Sequence, residues 1–229
     1  MTRSLARNML CAASFGALTL GASAQEMTSY EVTVTNTTTG QPFSPGVVVT
    51  HSPDIALFAV GDAPSEGIVA IAEDGKPDAA LGALEGADGI TKAMMLEGPI
   101  MREGGDGETS KTLTIEAAEG DVLSLATMLI CSNDGFAGVA GIELTGEAQT
   151  VDLVAYDAGS ETNNELSNSI VDPCGKAGPE QLAEDGNSND LPEDGNAIGE
   201  HQGIQGVGDL TEAHGWSGPV GSVTITPKG

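Results

Sequence analysis

The sequence has few positive charges and few aromatic side chains, and each shortage argues against a class of function. Of 229 residues, 8 are Lys or Arg and 34 are Asp or Glu, which gives a net charge of −26. A surface this negative repels phosphate backbones, so no nucleic-acid partner is expected. Anionic lipid is disfavoured in the same way unless a cation bridges the two surfaces. Aromatic residues form only 3% of the chain, which argues against a cleft that stacks sugar rings.

Enzyme motifs and membrane-spanning runs are also missing from the sequence. The three histidines, His51, His201 and His214, contain no i, i+4 pair of the kind that binds catalytic zinc on a helix. His201 and His214 are therefore predicted to be structural or exposed. No G-x-S-x-G segment marks a nucleophile elbow. The single tryptophan, Trp216, is predicted to belong to the core rather than to a ligand platform.

The first 24 residues have the three parts of a secretory signal peptide. Arg3 and Arg7 give a positive start, and an apolar run over 9–20 follows that is too short to cross a membrane. Ala22-Ser23-Ala24 is the small-residue pattern that precedes cleavage. We expect a mature chain that begins at Gln25, in the periplasm or outside the cell. Residues 25–229 are predicted to form one domain.

Export determines how the cysteines are interpreted. Cys11 is removed with the signal peptide, so Cys131 and Cys174 remain. Two cysteines in an oxidising compartment most simply form a disulfide, and two separate thiols are the alternative. The bridge would close a loop of about 43 residues and contribute roughly 3–4 kcal/mol in the chain-entropy model. A zinc site is disfavoured because no His or Cys flanks either cysteine at close spacing.

The pattern of short apolar runs predicts a mainly β fold. Alternating or β-branched runs, with turns between them, predict strands near 30–36, 47–51, 109–117, 122–130, 139–144, 150–156 and 220–226. Residues 64–84 predict a short helical insertion of two helices, with Asp78 as the cap of the second. Seven or eight short strands with one helical insertion favour an antiparallel β-sandwich.

A long acidic loop is predicted at about 157–200. It contains three prolines and two copies of Glu-Asp-Gly-Asn, at 184–187 and 193–196. The repeat resembles part of an EF-hand, but neither copy places Gly and the final carboxylate at the required loop positions. Loops of this length in a compact domain are usually functional or mobile.

Three acidic residues follow strands in a way that suits a calcium site. Asp134 lies in the turn after the predicted strand 122–130, and Asp157 and Glu161 follow the strand 150–156. With one strand between them in an up-down-up arrangement, both strands end at the same edge of the sheet. Gly135 and Gly159 allow the backbone to turn tightly beside the carboxylates. Carboxylate oxygens are the ligands that Ca²⁺ prefers, with carbonyls and waters completing its shell.

Two of these segments resemble a known family. Residues 132–138 (SNDGFAG) and 155–161 (AYDAGSE) are similar to the two hallmark segments of the spondin domain family. Further stretches at 30–45, 57–60, 200–208 and 216–225 resemble the bacterial branch of the family. The resemblance implies a β-sandwich related to C2 domains, with calcium bound at one end by Asp134, Asp157 and Glu161. This chain departs from the family pattern in two ways. Glu161 stands where Asp is usual, and Gly135 separates Asp134 from the aromatic Phe136.

The resulting prediction is a secreted or periplasmic, non-enzymatic adhesion or binding module stabilised by calcium. Its expected partners are an extracellular protein, a polysaccharide or a cell-surface component. Calcium would either bridge to an acidic partner or be purely structural, with the binding surface elsewhere, for example on the helical insertion. The alternative is an extracellular glycosidase-like hydrolase that uses paired carboxylates such as Asp134 and Glu161.

Overall fold

The computed structural model describes residues 26–182 and 197–228. The predicted signal peptide and both Glu-Asp-Gly-Asn copies lie outside the described residues. Within the described part of the chain, no helix has the length and apolar content needed to cross a membrane.

Nine strands, all paired antiparallel, form the body of the molecule. They are β1 (Met27–Asn36), β2 (Phe43–His51), β3 (Ile90–Leu96), β4 (Ser110–Ala118), β5 (Val122–Leu129), β6 (Gly135–Glu143), β7 (Gln149–Asp157), β8 (Gly199–Glu200) and β9 (Gly221–Lys228). The order in the sheet is β3-β2-β5-β6-β7-β9-β1-β4, and the two-residue β8 pairs with β7. The predicted antiparallel β-sandwich is confirmed.

Strand β7 joins the two layers of the sandwich. Its first half pairs with β9, and its second half pairs with β6. The sheet folds over at β7, so that β3 and β4, the two ends of the order, lie against each other. The result is a nearly closed sandwich with an apolar interior. This interior contains Val32, Val34, Phe43, Leu123, Leu125, Leu153, Val223 and Ile225, among others.

Two helices cover the outer face of the central strands. Helix α1 (Glu66–Asp74) begins at Ser65, whose hydroxyl accepts the N–H of Ile68, and ends at Gly75 with a φ of 63°. Helix α2 (Asp78–Leu84) packs beside α1. Together they bury a second apolar cluster against β2, β5 and β6. Strand β5 is therefore buried along its whole length, because both of its faces are covered.

The structure differs from the sequence-based expectation in several local details. The glycine-rich segment near 86–107 contains strand β3, which its scattered apolar residues did not predict. Strand β6 begins at Gly135, four residues before the predicted start. Helix α2 has Pro77 at its N-cap with no side-chain cap, and Asp78 lies inside its first turn.

The first part of the predicted acidic loop is folded onto the body of the protein. After β7, residues 158–182 contain a 3₁₀ turn at Ser167–Ser169 and the short helix α3 (Cys174–Ala177). Ile170 and Cys174 from this segment are buried with Ile130, Cys131 and Leu210 in a third apolar cluster. The segment is therefore part of the packed domain.

Candidate functional site

The ends of β5 and β7 meet at one edge of the sandwich, as the up-down-up arrangement predicted. Both strands pair antiparallel with β6, so they run in the same direction. Gly135 at the start of β6 lies opposite Asp157 at the end of β7. Asp134 therefore lies beside Asp157, in the turn that connects β5 to β6. The backbone supports this contact, because the N–H of Ala158 donates to the carbonyl oxygen of Asp134 at 3.1 Å.

One carboxylate oxygen of Asp134 organises the loop that follows β7. Its Oδ2 accepts the backbone N–H of Ser160 at 2.7 Å and that of Glu161 at 2.9 Å. The hydroxyl of Ser160 donates to the same oxygen at 3.2 Å. Asp134 thus fixes the position of Glu161 through the backbone. Two of the three predicted ligands are joined directly in this way.

The other carboxylate oxygen of Asp134 has a different environment. Asp134 is 0% exposed, and its Oδ1 has no hydrogen-bond partner among the described residues. Burial raises the pKa of Asp134 to about 6, and the nearby charge of Asp157 contributes to this increase. The hydrogen bonds from Ser160 and Glu161 oppose the shift. A buried carboxylate oxygen beside a second carboxylate is unfavourable unless a proton or a cation neutralises the charge.

Asp157 forms hydrogen bonds within its own loop. Its Oδ1 accepts the backbone N–H of Gly159 at 2.7 Å, and its Oδ2 accepts from the side-chain amide of Asn163. The three predicted ligands do not form a group with ligand atoms all within 4.8 Å of one another. Binding of one ion by all three would therefore require a side-chain movement, such as exchange of Asn163 for the ion at Asp157.

Two glycines fit the site for different steric reasons. Gly159 has a φ of +70°, and a Cβ there would lie 2.6 Å from the carbonyl oxygen of Ala197. Gly135 does not have a positive φ, so backbone freedom is not the reason for glycine at this position. A Cβ on Gly135 would lie 2.5 Å from Oγ of Ser132 and 3.0 Å from Cδ2 of His201. Lack of space requires glycine there.

His201 reaches the site from the segment after β8. Its Nδ1 accepts the N–H of Gly203 at 2.9 Å, so in the neutral ring Nε2 carries the proton. That Nε2 is buried and has no hydrogen-bond partner in the described part of the chain. Burial lowers the pKa of His201, while the charges of Asp157 and Glu165 act in the opposite direction. The protonated Nε2 is a donor, and it is not available as a metal ligand in this tautomer.

Glu165 joins the loop after β7 to the segment after β8. It is buried, has a φ of 54°, and its carboxylate accepts the backbone N–H groups of Gln205 and Val207. Its own N–H donates to the side chain of Asn133, the residue before Asp134. Glu165 therefore positions the loop around the site, although nothing in its sequence position marked it as important.

Cys131 and Cys174 form the predicted disulfide, with Cα atoms 5.1 Å apart. Cys131 lies three residues before Asp134, so the bridge fixes the start of the site turn to helix α3. The buried His214 lies against the bridge, with its ligand nitrogen and both sulfurs within 4.8 Å of one another. No His or Cys flanks the cysteines at close sequence spacing, and His214 reaches them only through the fold, from 40 residues beyond Cys174. In the disulfide the sulfurs bond to each other and are not thiolate ligands.

The comparison with individually curated proteins gives no match. The comparison with protein families gives one, with the profile described as Spondin_N, and it covers residues 30–172. That range is more than half of the chain and contains Asp134, Asp157 and Glu161. The segments near 200–208 and 216–225 that also resembled the family lie outside the match. The antiparallel sandwich and this match together place the chain in the Spondin_N family, the spondin N-terminal domain.

Proposed function

We propose that this protein is an exported, non-enzymatic binding module that holds a calcium ion at the edge formed by β5, β6 and β7. The observation that carries the proposal is Asp134. One of its oxygens is fixed by three hydrogen bonds from Ser160 and Glu161. The other is buried without a hydrogen-bond partner among the described residues and lies near the charge of Asp157.

The residues at this edge fit a calcium ion. Asp134, Asp157 and Glu161 supply hard carboxylate oxygens, and backbone carbonyls and waters can complete a shell of six to eight ligands. Burial, and then the nearby charge of Asp157, raise the pKa of Asp134, and a divalent cation would balance both carboxylates. The protonated Nε2 of His201 makes a site for a nitrogen-preferring transition metal a poorer fit.

The geometry favours binding over hydrolysis. A general acid must reach the leaving group of its substrate, and Asp134 has no exposed surface. Glu161 is also buried, at 3% exposure. A pair of carboxylates below the surface suits an ion that organises loops better than it suits a polymeric substrate. The role of calcium in this proposal is to hold the loop after β7 in one conformation for a partner outside the cell.

Export to the periplasm or the medium is part of the proposal. The signal-peptide pattern at residues 1–24 supports it, and so does the disulfide between Cys131 and Cys174. A net charge of −26 suits a compartment where calcium is abundant and can balance the carboxylates.

Calorimetric titration of calcium into the chelator-treated mature protein tests the proposal. We expect saturable binding at about one ion per chain, weakened at least about tenfold by Asp157→Asn because one charged ligand is lost. The matched control is Asp152→Asn, on the same strand but exposed and away from the site edge, which should leave binding unchanged. Equal affinity of both variants would contradict the proposal. Cleavage of a model glycoside that is lost in Asp157→Asn would support the hydrolase alternative instead.

A further inference from the structure

A groove lined by Trp216, the only tryptophan of the sequence, lies beside His201. Two adjoining cavities of about 600 Å³ and 430 Å³ share Gln202, Gly203, Trp216 and Pro219 in their walls. We call this continuous depression the Trp216 groove. The ring of Trp216 is partly buried against the main core and packs edge-to-face with His201, with centroids 5.0 Å apart. The indole is therefore held in a fixed orientation where it lines the groove.

The glutamine side chains of the groove present mainly acceptors to a ligand. Both N–H groups of the Gln205 amide are directed to backbone carbonyls of its own loop, those of Gln202 and Gly203. The amide of Gln202 donates to the carbonyl of Glu200. These bonds use three of the four amide N–H groups, so the two side chains offer a ligand two oxygens and one N–H. A ligand rich in donors fits such a surface best.

The charges around the groove have one sign. Glu200 lines the smaller cavity and Glu212 the larger one, and both residues are exposed. Among the described residues that line the two cavities, none is Lys or Arg. Arg102 approaches one end, where it donates to the carbonyl of Thr39, but it does not line the groove. The groove therefore attracts positive charge most strongly near Trp216.

We propose that the Trp216 groove binds an arginine side chain from a basic segment of a partner protein. A guanidinium stacks on an indole face and offers five N–H donors to the surrounding acceptors. Glu200 lines one of the two cavities and Glu212 the other, and Trp216 lines both, so each part of the groove contains a carboxylate that attracts the cation. A neutral glycan fits less well, because it gains nothing from the charges of Glu200 and Glu212, and the described lining of the groove offers a single indole for stacking.

Tryptophan fluorescence tests this directly, because the chain contains one Trp and the signal reports on this groove alone. The probe is acetyl-Arg-Arg-Arg-amide, titrated into the mature protein with calcium present, so that the result does not depend on whether the ion binds. We expect a saturable change with a Kd below about 1 mM. Acetyl-Gln-Gln-Gln-amide, of the same length, and the neutral oligosaccharide laminarihexaose are expected to give no saturable change.

The double substitution Glu200→Gln and Glu212→Gln tests the charge without altering the indole or the core. We expect the double variant to bind the arginine peptide about five- to tenfold more weakly than the wild type. The matched control is the double substitution Glu119→Gln and Glu147→Gln, two exposed residues in turns at the opposite end of the sandwich, which should change the Kd by less than about twofold. An equal response to the glutamine peptide, saturation by the oligosaccharide alone, or equal Kd values for both double variants would overturn the proposal.

Discussion

At the scale of single residues, the two carboxylate oxygens of Asp134 have opposite environments. One accepts three hydrogen bonds, and the other is buried without a hydrogen-bond partner among the described residues. The ionisation of Asp134 should therefore be visible in the pH dependence of stability. The folded-state pKa of about 6 lies above the ordinary 3.8, so between these pH values the folded chain keeps a proton that the unfolded chain releases. The stability that Asp134 contributes is therefore present below about pH 4 and is lost as the pH rises through 6. The difference between a pKa of 3.8 and one of about 6 corresponds to roughly 3 kcal/mol of unfolding free energy.

Replacement of Asp134 by asparagine should remove the loss of stability that the wild-type protein undergoes as the pH rises through 6. The amide oxygen can accept the bonds from Ser160 and Glu161, and the amide nitrogen can face the carboxylate of Asp157. In chelator, we expect Asp134→Asn to gain up to about 3 kcal/mol relative to wild type between pH 4 and pH 7, measured by urea unfolding. Asp152→Asn, measured in parallel, shows how much of the change in stability comes simply from removing one negative charge from an acidic chain. If the difference in unfolding free energy between Asp134→Asn and wild type were the same at every pH, the buried environment of Asp134 beside Asp157 would be contradicted.

At the scale of elements, the two helices offer a pair of glycines with opposite expected effects. Ala is favoured over Gly inside a helix by about 1 kcal/mol. In α2, a Cβ on Gly82 meets nothing within 4 Å, so Gly82→Ala should raise the free energy of unfolding by up to that amount. In α1, a Cβ on Gly67 would lie 2.7 Å from Cα of Ala80, so Gly67→Ala should separate the helices and destabilise the protein by about 1–3 kcal/mol. Thermal unfolding of both variants checks this, and a stabilising Gly67→Ala would contradict the close packing of α1 and α2.

The elements that the sequence predicted share a strong local signal. Strands β1, β4, β7 and β9 alternate apolar and polar residues, and α1 has a serine cap and a terminal glycine. Strand β3 lacks such a signal, because its exposed and buried positions do not alternate and its pairing with β2 determines its conformation. The start of β6 at Gly135 was missed because turn residues occupy it and tertiary packing makes them extended.

The residues of the candidate site also divide into those with a local sequence signal and those without one. The proximity of Asp134 to the loop of Asp157 and Glu161 could be predicted, because each follows a strand in a short stretch of sequence and the topology places those strand ends together. Their role as calcium ligands stays a prediction. His201, His214 and Glu165 could not be predicted, since each contacts its partners over long sequence separations. His201 approaches Gly135, and Glu165 accepts N–H groups from residues 40 and 42 positions further on. Such contacts depend on the full path of the chain and leave no local pattern.

At the scale of the whole molecule, the net charge of −26 opposes folding through mutual repulsion of the carboxylates. Most of these side chains are exposed, so dissolved salt screens them, with a Debye length of about 8 Å at physiological ionic strength and about 3 Å at 1 M. Asp134 is buried and is screened much less. We therefore expect calcium to stabilise the protein in two ways: by general screening and by the proposed binding at the edge of β5, β6 and β7.

Thermal unfolding in sodium chloride separates these two effects. In chelator, we expect Tm to rise as NaCl increases towards 1 M, because the exposed carboxylates are screened. Calcium at about 100 times its Kd should add about 2.7 kcal/mol, or about 5–10 °C, in low and high salt alike, because a bound ion at a buried carboxylate does not act by screening. Asp134→Asn and Asp157→Asn should keep the response to NaCl, while their response to calcium should fall to about half that of wild type or less, because a site weakened about tenfold contributes only about 1.4 kcal/mol at the same calcium concentration. If the calcium response disappeared in 1 M NaCl, calcium would be acting only as a counterion of the acidic surface, and the site at Asp134 would be ruled out.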